Sequence, residues 1–243
     1  MDTPHLSIII PAYNEEHRIG TTLESIKKYV EAKGTPVEII VVLNNTKDST
    51  RGVVEKYQHG MPYIKIMDTG MVPSKSGTKG YAIKWGVAEA RGRYVLFMDA
   101  DNATEIQEVE KIWPKFDEGY DVVIGSRYIH GSNVKRAWYR KLVSYFLNMF
   151  IRVLLSFKVS DMHCGFKAFT HDAAKDIFSK MTIKGWAFDN EIFAITFRKG
   201  YKLAEVPVSW VEMGQSRLSI RTFASSFPEL LTIRKNLKKG KYD

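Results

Sequence analysis

The chain has 243 residues, with 36 Lys and Arg against 27 Asp and Glu, giving a formal net charge of +9. A hydrophobic fraction of 44% beside 26% charged residues excludes a disordered or low-complexity chain and supplies enough apolar surface for a sizeable core. The basic balance favours anionic partners (phosphorylated ligands, an anionic membrane face or nucleic acid), and the single cysteine, Cys164, excludes an intramolecular disulfide and reads as a buried, inert thiol.

In chain order, Met1 to Pro4 leads without a signal-peptide pattern into Leu6 to Ile10, a β-branched run that reads as a buried strand ended by Pro11. Ile19, Leu23, Ile26 and Val30 follow at helical spacing, then Val37 to Leu43 as a second strand. A helix through Val53, Val54 and Tyr57, a short strand from Tyr63 to Met67 and a helix through Ile83, Val87 and Ala90 come next. Tyr94 to Met98 reads as a strand, Ile106, Val109, Ile112 and Phe116 as a helix, and Val122 to Ile124 as another strand. In the less regular second half, 137–157 is strongly apolar and helical, Ala187 to Lys199 a helix ended by Gly200, Lys202 to Val208 a strand and Thr222 to Leu237 a closing helix. Lys235 to Asp243 reads as a frayed basic tail.

Apolar strands alternating with helices predict an α/β fold with a mainly parallel, twisted sheet covered on both faces. Ligands of such sheets sit beyond the carboxyl ends of the strands. Those positions here are Pro11 to Glu16, Asn44 to Asp48 and Asp99 to Asn102, all polar or acidic. In Asp99-Ala100-Asp101, residues two apart on an extended segment point the same way, so both carboxylates can grip one hard cation, Mg²⁺ or Mn²⁺, beside a diphosphate. The competing reading is a helix cap from Asp101 or Asn102. Gly77-Thr78-Lys79-Gly80 precedes a helix and suits phosphate oxygens, although its spacing is not that of a Walker loop. The basic residues follow no recognisable nucleic-acid-reading motif.

Ile9-Ile10-Pro11-Ala12-Tyr13-Asn14-Glu15-Glu16, Asp99-Ala100-Asp101 and Gly125-Ser126-Arg127-Tyr128 together resemble inverting glycosyltransferases of family 2, whose nucleotide-sugar-binding fold is called GT-A. The stretch from Val134 to Lys141, with Asp161-Met162-His163-Cys164-Gly165-Phe166-Lys167 and Trp186-Ala187-Phe188-Asp189-Asn190-Glu191, is similar to dolichyl-phosphate glucosyltransferases, with dolichyl-phosphate mannose synthases as cousins. The resemblance implies that residues 1–243 form one GT-A catalytic domain. Pro11, Ala12, Tyr13, Glu15, Asn44 and Lys79 would face the nucleotide sugar, and Asp99 and Asp101 the metal and diphosphate. Ser126, Arg127, Lys135 and Arg136 would face the acceptor phosphate, with Asp101, Arg127 and Asp189 as the catalytic group. Asn44 stands where the family usually has an aspartate that contacts the base. Ala103 stands where the mannose synthases have a glutamine metal ligand, which is the glucosyltransferase-like choice. Gln215-Ser216-Arg217 occupies a loop that the family closes over the donor.

The implied reaction moves a hexose, glucose from UDP-glucose, onto a polyprenyl or dolichyl phosphate. The alternatives are mannosyl transfer from GDP-mannose, a hydroxyl acceptor, or a non-catalytic binder of nucleotide sugars or other anions. A phosphate acceptor is already anionic and needs cations more than a general base, so Asp189 reads as a group that positions sugar hydroxyls. Arg140, Ser144, Asn148, Arg152 and Ser156 recur every fourth residue as one polar stripe along 137–157. The charges argue against spanning and for an interfacial helix or helix pair, with a core helix or a homo-oligomer interface as the competing uses. Peripheral association with the cytoplasmic side of a membrane is therefore expected.

Overall fold

The computed structural model describes residues 3–74, 78–135, 149–213 and 220–243, with side chains throughout these ranges except at 135 and 220–225. The expected alternation holds through the first half: β1 (Leu6–Ala12), α1 (Ile19–Lys33), β2 (Val37–Leu43), α2 (Thr50–Gln58), β3 (Ile64–Asp68), α3 (Lys79–Glu89) and β4 (Tyr94–Met98). These four strands pair in parallel, with β1 between β2 and β4 and β3 outside β2. The second half adds β5 (Val122–Ser126), β6 (Asn133–Lys135), β7 (Phe166–Thr170), α5 (His171–Lys180), α6 (Phe188–Arg198), β8 (Leu203–Pro207), β9 (Ser209–Val211) and α7 (Ile220–Lys238). The large sheet runs β3-β2-β1-β4-β7-β5-β8, and β6 and β9 form a separate parallel pair.

The strands β1, β2, β4 and β5 bury both faces, their side chains alternating between two apolar layers. Ile9, Ile40, Val42, Val95 and Phe97 point into one apolar layer with α3, α5 and α6. Ile8, Ile10, Ile39, Val41 and Leu96 point into the other, against α1, α2 and the segment 106–116. Helices thus cover both sides of a mainly parallel sheet, as its near-continuous apolar strands require.

Four expectations are revised. β1 does not end at Pro11 but continues through Ala12. Its ladder with β4 stops at Ile9 opposite Phe97, so Pro11, which has no N–H to donate, lies where only β2 flanks the strand. The helix expected through Ile106 to Phe116 is a 3₁₀ turn, Ile106–Lys111, followed by a short α4, Trp113–Asp117. Pro114 lies in the first turn of α4, where a missing N–H is harmless but continuation from the preceding turn is not. β7 and α5 were not foreseen; β7 inserts antiparallel between β4 and β5. The tail is not frayed: α7 reaches Lys238, and Tyr242 is fully buried. Of the apolar stretch 137–157, residues 137–148 lie outside the described residues. Residues 149–155 are helical, with Ile151 and Leu155 buried and Met149, Phe150 and Val153 exposed. Among the described residues no helix is long and apolar enough to cross a membrane.

Candidate active site

The loops after β1, β2 and β4 meet at the carboxyl edge of the sheet. The loop after β1 is held on the loop after β2: the Glu15 N–H donates to Thr50 Oγ1 at 2.8 Å and the Glu16 N–H to Asp48 Oδ2 at 3.1 Å. The loop after β4 is held by α1, since Thr22 Oγ1 donates to the Ala100 carbonyl at 2.7 Å. This arrangement sets Pro11, Ala12, half-exposed Tyr13 and buried Glu15 on the same edge as Asp99 and Asp101.

The two aspartates are held differently. Asp99 Oδ1 accepts from Lys79 Nζ at 2.6 Å, at the start of α3. Its other oxygen lies against Gly165, where an added Cβ would fall 2.1 Å from Oδ2, so any side chain there would displace the Asp99 carboxylate. Asp101 Oδ1 accepts the Ala103 N–H at 3.1 Å, a local turn of the kind a cap would make, while Oδ2 has the Arg18 guanidinium at 3.9 Å. Arg18 also pairs with Glu15 at 2.6 Å. Burial and the neighbouring Asp99 carboxylate push Asp101 above its ordinary pKa. Burial opposes the charge on Lys79, but Asp99 and Asp189 outweigh it and raise that lysine.

Asp189, in the first turn of α6, comes to the same place. It is 6% exposed, and its Oδ1 accepts from Lys167 Nζ at 2.7 Å. Lys167 is 0% exposed, donates also to the Cys164 carbonyl at 2.7 Å, and has its ammonium 5.2 Å and 5.5 Å from the Phe97 and Phe193 ring centres. A lysine this deeply buried needs a partner, and Asp189 is the carboxylate that the fold brings to it. His163 lies alongside; burial pushes it below its ordinary pKa against the pull of Asp189. Cys164 is buried and its thiol is pushed up to about 12, chiefly by burial, which makes it unreactive as expected.

Three expected contacts fall elsewhere. Asn44 is buried, with Nδ2 donating to the Thr78 carbonyl at 2.9 Å and to Thr78 Oγ1 at 2.5 Å, and Oδ1 accepting from Thr69 at 3.1 Å. It brackets the start of α3, and so Lys79, rather than presenting a free amide. Ser126 is fully buried, with its Oγ turned to the Tyr128 N–H at 3.5 Å. Arg127 closes its fork on the buried Asp161 carboxylate, Nε at 2.7 Å and Nη2 at 2.9 Å, with Trp210 5.3 Å away. Burial opposes its charge, but Asp161 holds its pKa above the ordinary value. The planar donor pair that suits a phosphate is thus spent on a carboxylate of the same chain, because Asp161 lies nearest.

Lys135 ends β6. Its register partner is Val211 of β9, whose N–H donates to the Ala103 carbonyl at 2.9 Å, so the backbone of Lys135 lies one strand from the loop that carries Asp101. The Lys135 side chain, Arg136, Gly77 and Gln215 to Arg217 lie outside the described residues. Arg18, Lys167, Asp161 and Gly165 were not singled out from sequence. The Asp161-to-Lys167 stretch contained three of them, but nothing local marks a lysine on an apolar strand as the partner of a distant aspartate.

Among the described residues no group of three or more His, Cys, Asp or Glu side chains gathers as a metal cage. Asp99 and Asp101 present two adjacent carboxylates with few donors, which fits a hard cation that completes its shell with ligand oxygens and water.

The model of glycosyl transferase family 2 matches residues 7–178. The dolichyl-phosphate beta-glucosyltransferase of Dictyostelium discoideum is 34% identical over 238 residues, covering 93% of this chain and 72% of its own length. The human dolichyl-phosphate beta-glucosyltransferase is 32% identical over 234 residues, covering 89% and 70%. Among solved structures, mannosyl-3-phosphoglycerate synthase from Rubrobacter xylanophilus superposes with a TM-score of 0.70 at 18% identity, covering 98% of this chain and 75% of that one. Glucosyl-3-phosphoglycerate synthase from Mycobacterium tuberculosis, solved with Mn²⁺, UDP-glucose and phosphoglyceric acid, gives 0.69 at 18% identity, covering 96% and 79%. These structural likenesses carry the GT-A fold.

Proposed function

Because the chain belongs to glycosyl transferase family 2, we propose that it transfers glucose from UDP-glucose to a polyprenyl or dolichyl phosphate at a membrane surface, with inversion at the anomeric carbon. Residues 1–243 act as one catalytic domain. The observation that carries this reading is the convergence of Asp99, Asp101, Lys79 and Asp189 where three loops meet beyond the sheet. Curated relatives that act on dolichyl phosphate supply the acceptor class.

Pro11, Ala12, Tyr13 and Glu15 take the nucleotide. Asp99 and Asp101 are the residues that would hold Mg²⁺ or Mn²⁺ beside the diphosphate. When bound, such a cation neutralises charge on the departing nucleoside diphosphate. Lys79 adds a fixed positive charge beside the same oxygens. Asp189, anchored by the Lys167 ammonium, accepts hydrogen bonds from the sugar hydroxyls and fixes the ring for in-line attack. The acceptor phosphate needs alignment rather than deprotonation, and Lys135, whose backbone lies one strand from the Asp101 loop, and its neighbour in sequence Arg136 supply the cations.

Membrane contact is supported by an apolar surface. Met149, Phe150 and Val153 (78% exposed) stand out from the 149–155 helix, and Phe150 stacks on exposed Phe227 of α7 at 6.2 Å with Leu231 exposed on the same helix. Such a patch suits a peripheral protein resting on one leaflet, here the cytosolic one where nucleotide sugars are available.

The test is a transfer assay with purified protein, a short polyprenyl phosphate, Mg²⁺ or Mn²⁺, and a panel of radiolabelled nucleotide sugars. Lipid-extractable label from UDP-glucose, abolished by EDTA, is expected. Label from GDP-mannose instead moves the reading to mannosyl transfer. No label from any donor in folded protein moves it to a hydroxyl acceptor or a non-catalytic binder.

A further inference from the structure

The chain's last residues are built into the underside of the helix that carries Asp189. α6 begins without a side-chain cap of its own, its N-cap being Ala187. What holds this end comes from far along the chain. Glu229 of α7 accepts the Ala187 N–H at 3.1 Å. Glu191, two residues after Asp189 and fully buried, accepts from the Thr182 N–H at 2.8 Å, Thr182 Oγ1 at 2.6 Å, the Ile183 N–H at 2.6 Å and the Tyr242 hydroxyl at 2.7 Å. Asn236 Nδ2 donates to the Tyr242 oxygen at 3.1 Å and lies 3.4 Å from Thr182 Oγ1, closing the cluster. At the other end of α6, Arg198 forks onto Asp243, and Lys180 donates to the Asp243 backbone oxygen at 3.1 Å. The tail therefore grips α6 at both ends, and the buried grip lies under the first turn.

A tail that served only solubility would leave its aromatic residue in water. Tyr242 instead is among the largest fully buried side chains, and its hydroxyl finds a carboxylate. A buried tyrosine normally pairs its hydroxyl, and a hydrogen bond to a charged acceptor is among the stronger kind. The position of Asp189 follows from that of Glu191, since both sit in one rigid helical turn.

We propose that Tyr242 is a positioning residue of the transfer site: its hydroxyl, through Glu191, fixes the first turn of α6 and thereby the carboxylate of Asp189 toward the donor sugar. The proposal rests on the reading of Asp189 given above. It assigns the end of the chain a part in catalysis without contact to either substrate. Loosening the clamp costs alignment of the sugar and leaves nucleotide binding intact, because the nucleotide loops after β1, β2 and β4 are held by other contacts.

The variant is Tyr242→Phe in the full chain, which keeps the buried ring and removes only the hydroxyl. Amide hydrogen exchange across 187–192 is expected to rise about tenfold while that of β4 and residues 99–103 is unchanged, the loss of one hydrogen bond being felt locally. In the transfer assay kcat is expected to fall about fivefold to tenfold with UDP affinity unaltered, and this fall should vanish in an Asp189→Asn background, where there is nothing left to position. Unchanged exchange at 187–192 overturns the clamp. Raised exchange with unchanged kcat, or a kcat loss of the same size in the Asp189→Asn background, overturns the positioning role. If the wild-type protein transfers no sugar at all, the functional reading has failed, and the exchange measurement still decides the clamp.

Discussion

The two ends of the sheet bury carboxylates in opposite ways. At the amino end of the strands, Glu38 accepts from Ser7 Oγ at 2.6 Å, the Arg91 N–H at 2.6 Å and Arg91 Nε at 3.1 Å, and Ser7 Oγ in turn accepts the Gly92 N–H at 2.7 Å. Burial alone would raise Glu38, but these donors overcome it and hold the group below its ordinary pKa. At the carboxyl end, Asp101 faces Asp99 with one backbone donor and a distant arginine, and burial with that like charge raises it. A carboxylate that serves the fold is given a donor for each oxygen. The Asp99–Asp101 contact, with Lys79 pairing only Asp99, costs the folded chain stability, which fits the cation site proposed above.

The largest expected effect breaks the carboxyl end. Asp101→Asn should lower transfer about 10³-fold, several kcal/mol of charge stabilisation being lost at the leaving group. The same change should leave the metal-free protein as stable or up to about 1 kcal/mol more stable, since it removes a like-charge contact. A clear fall in melting temperature would mean that Asp101 is a structural group like Glu38.

Gly165→Ala probes the same end from beneath. Its Cβ would lie 2.1 Å from Asp99 Oδ2, so Asp99 must turn away. Titration calorimetry with Mn²⁺ and UDP should show affinity lower by about tenfold or more, the range seen when a ligand's support is removed. An unaltered affinity would show that Asp99 is not a metal ligand.

Glu38→Gln tests the other end and should do the reverse, lowering stability by about 1–3 kcal/mol while kcat stays the same. The pH dependence sharpens the contrast. Because the folded pKa of Glu38 is depressed, its stabilisation is present near neutrality and is lost as pH falls. Because that of Asp101 is raised, the metal-free chain gains as pH falls and Asp101 takes a proton. Melting temperatures between about pH 7 and pH 4 should therefore decline less steeply for Glu38→Gln than for wild type, and more steeply for Asp101→Asn.

The sequence by itself determined strands β1 to β5 and β8, the order of the loops after them and the adjacency of Asp99 and Asp101. These follow from apolar periodicity and from where a strand ends, both properties of neighbouring residues. β4 was legible to the residue, since Tyr94 to Met98 is a continuous apolar run. The tertiary structure alone decided which charges meet. Arg127 finds Asp161 across 34 residues, Lys167 finds Asp189 across 22, and Tyr242 finds Glu191 across 51. A residue read as a phosphate clamp became the partner of a buried acid, one read as a base contact became a bracket for α3, and a tail read as frayed became the support of a helix. The physical reason is common to all three. A charge or hydroxyl taken out of water must bond to whatever the packed chain brings within about 3 Å, and that neighbour is chosen by the fold rather than by local pattern.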